Sequence, residues 1–118
     1  MSKKSIRSDF RLAVFTRDKY SCKCCGKQGK DRQGGDDWMK FHSASNPVDL
    51  DAHHIVARDL MLNGGYVASN GITVCDECHI KCEQYWKTDL AVEGFAIQDL
   101  FNLIGSSGEQ ARIDSEKL

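Results

Sequence analysis

Two Cys-x-x-Cys pairs, Cys22/Cys25 and Cys75/Cys78, stand 49 residues apart, and His79 follows the second pair directly. Structural zinc takes four ligands in a tetrahedron and prefers thiolate, so the two pairs supply one complete ligand set. A lone pair of this kind is also compatible with free thiols or redox chemistry; two pairs point to metal. Cys24 and Cys82 fall outside the spacing and read as spectators. Between the pairs lie Ala52-His53-His54-Ile55 and then Asn70. Adjacent histidines divide labour readily: one ring binds a metal while the other takes a proton from water. His79 and Glu83 are four apart and share a helix face. Set against a strand carrying His53, they make a three-ligand cluster, His53, His79 and Glu83, with positions left open for water and substrate. Glu83 reads equally as a solvated helix residue. Asn70 precedes Gly71 at a turn, where its amide can fix the loop beside the His54 strand through backbone hydrogen bonds.

The elements that must position these groups are legible in the apolar pattern. Ile6, Phe10 and Val14 recur every four residues with Ala13 beside them, giving a helix face that ends near Arg17-Asp18, after a frayed Ser2–Ser5. Residues 21–26 form a zinc knuckle with Gly26 at its tight turn. Residues 27–46 are polar and glycine-rich, an irregular loop or an extended hairpin in which Trp38, Met39 and Phe41 demand packing. Val48 to Val56 alternates as a strand, residues 59–62 suggest a helical turn, and Asn63-Gly64-Gly65 is a turn. Ile72-Thr73-Val74 is a short strand, and the second knuckle opens a helix from about Glu77 to Trp86. Ile97, Leu100, Phe101 and Ile104 form a stripe that closes the core or makes a dimer surface. The fold class is therefore α+β. Residues 1–105 are expected to form the functional domain, and 106–118 a polar, flexible tail. The 49-residue gap far exceeds the roughly 15–20 of a simple zinc ribbon, so the zinc clamp ties helix ends together and leaves the intervening strands as an excursion held at its base.

Composition narrows the function classes. With 118 residues, 41% hydrophobic and 28% charged, the chain suits one globular domain. No apolar run approaches a membrane span, and Met1 to Arg7 lacks the apolar stretch of a signal peptide, so a cytoplasmic protein with reduced thiols is expected. Net charge is −1, but residues 1–33 carry ten Lys/Arg against three Asp and residues 34–118 carry six against fourteen Asp/Glu. The basic front is a phosphate-binding surface or a solvated helix face.

Taken together, residues 14–22 (Val-Phe-Thr-Arg-Asp-Lys-Tyr-Ser-Cys), Cys25-Gly26, Asp51-Ala52-His53-His54-Ile55, Asn70-Gly71-Ile72-Thr73-Val74-Cys75 and Cys78-His79 resemble the zinc-supported HNH endonucleases. The resemblance runs from about Arg11 to Glu83. It implies a small ββα-metal core and hydrolysis of phosphodiester bonds in double-stranded DNA. His54 would be the base that activates water, His53 and His79 ligands of the catalytic metal, Glu83 a third ligand, and Asn70 the residue that holds the His loop. Cys22, Cys25, Cys75 and Cys78 would hold structural Zn²⁺. A His/His/Glu shell accepts Mg²⁺, Mn²⁺, Ni²⁺ or Zn²⁺, and two imidazoles lean toward the transition metals. Arg58, Lys81, Lys87 and Arg17 are candidate phosphate contacts, and so small a core leaves sequence specificity to a homodimer or a protein partner. The alternative is a zinc-stabilised nucleic-acid-binding module without catalysis.

Overall fold

The computed structural model describes residues 3–118. The first helix, α1, spans Lys3–Arg17, so Lys3 to Ser5 are helical where a frayed start was expected; Ser2 lies outside the described residues. Its apolar stripe buries Phe10, Val14 and Phe15. Lys19 and Tyr20 then adopt left-handed backbone angles, with φ of 56° and 51°, which reverse the chain. Tyr20 packs against Phe15 with ring centroids 5.3 Å apart.

Three strands form the sheet in the order β1 (Gly29–Asp31), β2 (Val48–His54), β3 (Gly71–Cys75). β1 runs parallel to β2, and β2 antiparallel to β3. The parallel pairing rules out the hairpin considered for residues 27–46, because a hairpin reverses direction. That stretch is instead a crossover with a 3₁₀ turn at Asp37–Lys40. Trp38 anchors it to the core, and His42 Nε2 bonds the Gly29 carbonyl oxygen at 2.8 Å.

β3 is followed directly by α2 (Asp76–Thr88), then α3 (Ile97–Leu103) and α4 (Gly108–Glu116). α1 and α2 cover opposite faces of the sheet. Thr73 Oγ1 donates to the Val14 carbonyl on the α1 side at 3.4 Å, while His53 meets His79 and Trp86 of α2 on the other. A strand buried on both faces reads as a continuous buried run, and every residue of β3 is buried. Gly71 sits where any Cβ would strike Val14 and Phe10, so glycine there sets how closely α1 lies on the sheet. Leu100 and Phe101 of α3 join the central cluster with Phe15, Leu50, Ile55, Ile72 and Val74, so this stripe closes the core.

The C-terminal segment differs from expectation. Residues 108–116 are a helix with Ala111 and Ser115 fully buried, not a flexible tail. Ser107 caps it by accepting from the Gln110 amide at 3.0 Å. Polar residues made the segment look solvated, but they bond the chain between β2 and β3. Ser115 Oγ accepts from the Gly65 amide at 2.9 Å and donates to the Leu62 carbonyl, and Ser69 Oγ donates to Asp114 at 2.7 Å. Replacing Ser115 with Ala leaves the buried Gly65 amide and the part-buried Leu62 carbonyl unpaired. A loss of about 2 kcal/mol is expected, read as a lower urea midpoint; an unchanged midpoint would show that α4 does not brace this loop.

Candidate active site and zinc site

The thiols come together from both ends of the domain. Cys22 and Cys25 lie in the turn after α1, closed by Cys22 N donating to the Lys27 carbonyl at 2.8 Å and Gly26 N to the Cys22 carbonyl at 2.7 Å. Cys75 ends β3 and Cys78 lies in the first turn of α2. Their four Sγ atoms lie within 4.8 Å of one another, with Cys25 and Cys75 3.7 Å apart. Four thiolates about 2.3 Å from a tetrahedral zinc sit roughly 3.8 Å apart, so this donor set fits zinc. The N-terminal end of α2 adds partial positive charge beside the developing thiolates.

Without a cation Cys22, Cys75 and Cys78 hold their protons. The Cys24 thiol bonded beside it, then burial, pushes Cys22 up to about 11, and burial raises both Cys75 and Cys78. Zinc must displace those protons, which makes its affinity pH-dependent. Cys24 and Cys82 stand outside the four-thiol cluster.

β2 delivers the two histidines to opposite sides. Successive strand residues face opposite ways, so His53, paired with Ile72, points toward α2, and His54, paired with Gly71, points toward α1. The His53 ring lies edge-on to His79, centroids 5.1 Å apart, and stacks on Trp86 at 4.8 Å. The His54 ring stacks on Phe10 at 4.5 Å and meets the edge of Tyr66 at 4.7 Å. His54 ends the strand, and both rings nonetheless line one cleft of about 920 Å³, together with His79, Arg58, Tyr66 and Trp86.

The protonation states suit ligand and base chemistry. Burial first, then the neighbouring His79 and His54, lowers His53 to about 3. Burial first, then Arg58, lowers His54 to about 4. Both rings are therefore neutral at pH 7, and the Nε2 atoms of both are buried without a hydrogen-bond partner among the described residues. An orphaned, neutral imidazole nitrogen is what a divalent cation or a proton requires. His79 is shifted the other way, raised chiefly by Asp51. Its Nδ1 lies 3.6 Å from Asp51 Oδ2 and its Nε2 3.7 Å from Glu83 Oε1. His79 thus stands beside both His53 and Glu83, but Glu83 lies outside the cleft lining, and among the described residues the four thiols, not these three, are the group whose donor atoms draw together closely enough to hold an ion.

Asn70 is fully buried beneath His54. Its Oδ1 accepts from the Val56 amide at 3.0 Å, its Nδ2 donates to the Val56 and Gly65 carbonyls at 3.1 and 3.2 Å, and its carbonyl accepts from Ile55 N at 2.9 Å. These bonds fix the chain immediately after His54. Gly65 has φ of +70°, and a Cβ there would sit 2.6 Å from Asn70 Nδ2, so the residue combines the turn with the space the amide needs.

The expected phosphate contacts separate. Arg58 lines the cleft. Arg17 is engaged within the fold: its guanidinium is held by Asp18 at 2.8 Å and donates to the Ala68 and Gly71 carbonyls at 2.6 and 2.7 Å, while Asp18 accepts from Thr73 N at 3.0 Å. Arg17 thus locks the end of α1 to β3. Lys81 lies over the Phe95 ring at 5.5 Å, outside the cleft lining, and Lys87 is exposed near the end of α2, also outside it. Asp51, Trp86, Tyr66, Phe10 and Arg7 were not singled out as site residues from sequence. For Asp51 the signal was present, since it lies two residues before His53 and shares its face of β2. For Trp86 it was also present, seven residues after His79 on α2.

No curated protein and no solved structure matches the chain. The model of the family described as HNH endonuclease matches residues 22–84, from the first zinc-site cysteine to the residue after Glu83. That span is more than half of the chain and holds both histidines of β2, Asn70 and His79, so the chain belongs to the HNH endonuclease family.

Proposed function

We propose that this protein is a metal-dependent endonuclease that hydrolyses phosphodiester bonds of double-stranded DNA, by nicking or cutting. One observation carries the proposal: His53, His54 and His79 converge on a single cleft with the buried Nε2 atoms of His53 and His54 unpartnered. His53, His79 and Glu83 would hold a divalent cation, Mg²⁺, Mn²⁺, Ni²⁺ or Zn²⁺. Bound there, the cation would neutralise the phosphate and stabilise the leaving oxygen.

The chain's own residues do the rest. His54, neutral because it is buried, takes a proton from the attacking water at Nε2. Phe10 and Tyr66 limit its ring to one orientation. Asn70 holds the backbone that follows it. Asp51 orients His79 through Nδ1, the arrangement by which carboxylates commonly fix metal-ligating imidazoles. Cys22, Cys25, Cys75 and Cys78 hold Zn²⁺ for folding and take no part in the chemistry.

The activity is tested by plasmid nicking with a panel of divalent metals. His54→Ala is expected to lose about 10²–10⁴-fold in rate; undiminished cleavage removes His54 as the base. Absence of cleavage with every metal, alongside salt-dependent DNA binding, would make the protein a binding module instead. For Asp51→Asn, the metal concentration giving half-maximal nicking should rise about 10–100-fold, and an unchanged value would show that Asp51 does not orient His79. Structural zinc of this kind supplies about 10–16 kcal/mol of apparent folding free energy, comparable to the whole stability of a small domain. Cys78→Ser is therefore expected to bind no zinc at the thiol site and to lose its cooperative thermal transition. A sharp transition in the zinc-free chain would contradict this.

A further inference from the structure

Tyr66 occupies an unusual position. Its ring edge rests on His54, and its hydroxyl accepts from Arg58 in a recess that Arg7 also lines. Arg58 donates to the oxygen at 2.8 Å, and Arg7 of α1 lies near enough to act on the same phenol. A phenol oxygen can accept two hydrogen bonds and donate one. Arg58 takes one acceptor position, which leaves the hydroxyl a second acceptor position and its own hydrogen for a ligand.

The two arginines are also electrically spare. Arg11, Lys27, Lys30 and Arg32 all face carboxylates within 4.0 Å. Among the described residues neither Arg7 nor Arg58 forms an ion pair with a carboxylate, although Asp59 follows Arg58 in the chain. Both line the 920 Å³ cleft and the adjoining recess of 260 Å³ on the His54 side. Two guanidiniums outside any carboxylate ion pair and one phenol, at a cleft wall that Asp59 also lines, offer the donors that a doubly accepting anion needs.

We propose that Arg7, Tyr66 and Arg58 form a clamp for one backbone phosphate of the bound DNA strand, on the α1 side of His54. The clamp rests on the endonuclease reading for its ligand. It sets the register of the strand: a phosphate fixed there places a neighbouring phosphodiester between His54 and the His53/His79 side of the cleft. Tyr66 is a positioning residue in this scheme, since it holds the Arg58 guanidinium beside Arg7 and restrains the His54 ring. Phosphate contacts of this type position a duplex without reading its sequence.

The test is duplex binding by the zinc-loaded protein without added Mg²⁺ or Mn²⁺, measured by fluorescence anisotropy on a short duplex between 50 and 200 mM salt (roughly the range over which phosphate contacts are resolved). Arg7→Gln and Arg58→Gln are each expected to reduce the slope of log affinity against log salt by about 0.9. Arg7→Lys should restore it, which no purely structural role of Arg7 would produce. Tyr66→Phe keeps the ring on His54 and is expected to slow nicking roughly 10-fold with the salt slope retained. Unchanged slopes in both Gln variants overturn the clamp even if the wild type cuts DNA. Reduced slopes support it even if the wild type never cuts, because the slope requires no catalysis. Wild-type turnover in Tyr66→Phe overturns the role of the hydroxyl, and a wild type with no duplex affinity at low salt overturns the clamp outright. Equal thermal midpoints across the variants confirm that each is read in the folded state.

Discussion

The pleat of β2 is the constraint on which the rest of the site depends. A strand cannot aim adjacent side chains at one face, so His53 and His54 are committed to opposite layers. A cleft using both must be open at the end of the strand, where the two layers part. The fold meets that demand by ending β2 at His54 and β3's pairing at Gly71, which leaves α1 on one side and α2 on the other as the cleft walls. The zinc site then has a mechanical meaning. Cys75 and Cys78 bracket the junction of β3 and α2, and Cys22 and Cys25 follow α1, so a single ion would tie both walls at the closed end of the sheet.

At the open end no thiol set among the described residues ties the walls together, and hydrogen bonds take over. The chain from Ile55 to Asn70 forms 3₁₀ turns rather than strand, so the backbone groups its turns leave unpaired fall to side chains. Asn70 does this from within and Ser115 from α4. The two meet at Gly65, whose amide bonds Ser115 and whose carbonyl bonds Asn70. The C-terminal helix is therefore continuous with the support of His54, although it lies beyond the segment that matches the family.

Local patterns made much of this legible. The every-fourth-residue stripe marked α1 to within its observed end, alternation marked β2, and the two Cys-x-x-Cys pairs marked the thiol cluster. What stayed hidden depended on partners distant in the chain. Arg17 looked like a free cation because the Ala68 and Gly71 carbonyls that consume it are 51 and 54 residues away. α4 looked disordered because its stabilising groups are serines and an aspartate, which bury usefully only when matched to acceptors and donors that sequence does not display. The parallel pairing of β1 was likewise invisible, since three residues carry no periodicity of their own.

Charge placement follows the same logic. The basic first third of the chain reads as a phosphate-binding front, but folding sets much of it against acids: Arg11 on Asp31, Lys30 on Asp49, and Arg32 on Asp51 and Asp76. Such exposed pairs contribute little stability individually, so their consequence is mainly electrostatic. They cancel the field along the outer strands and leave positive charge outside any carboxylate ion pair at Arg7 and Arg58 beside His54. A polyanion approaching this protein would meet a nearly neutral sheet edge and a cationic cleft wall. The contrast between them, rather than the net charge of −1, is what would orient a duplex toward the histidines.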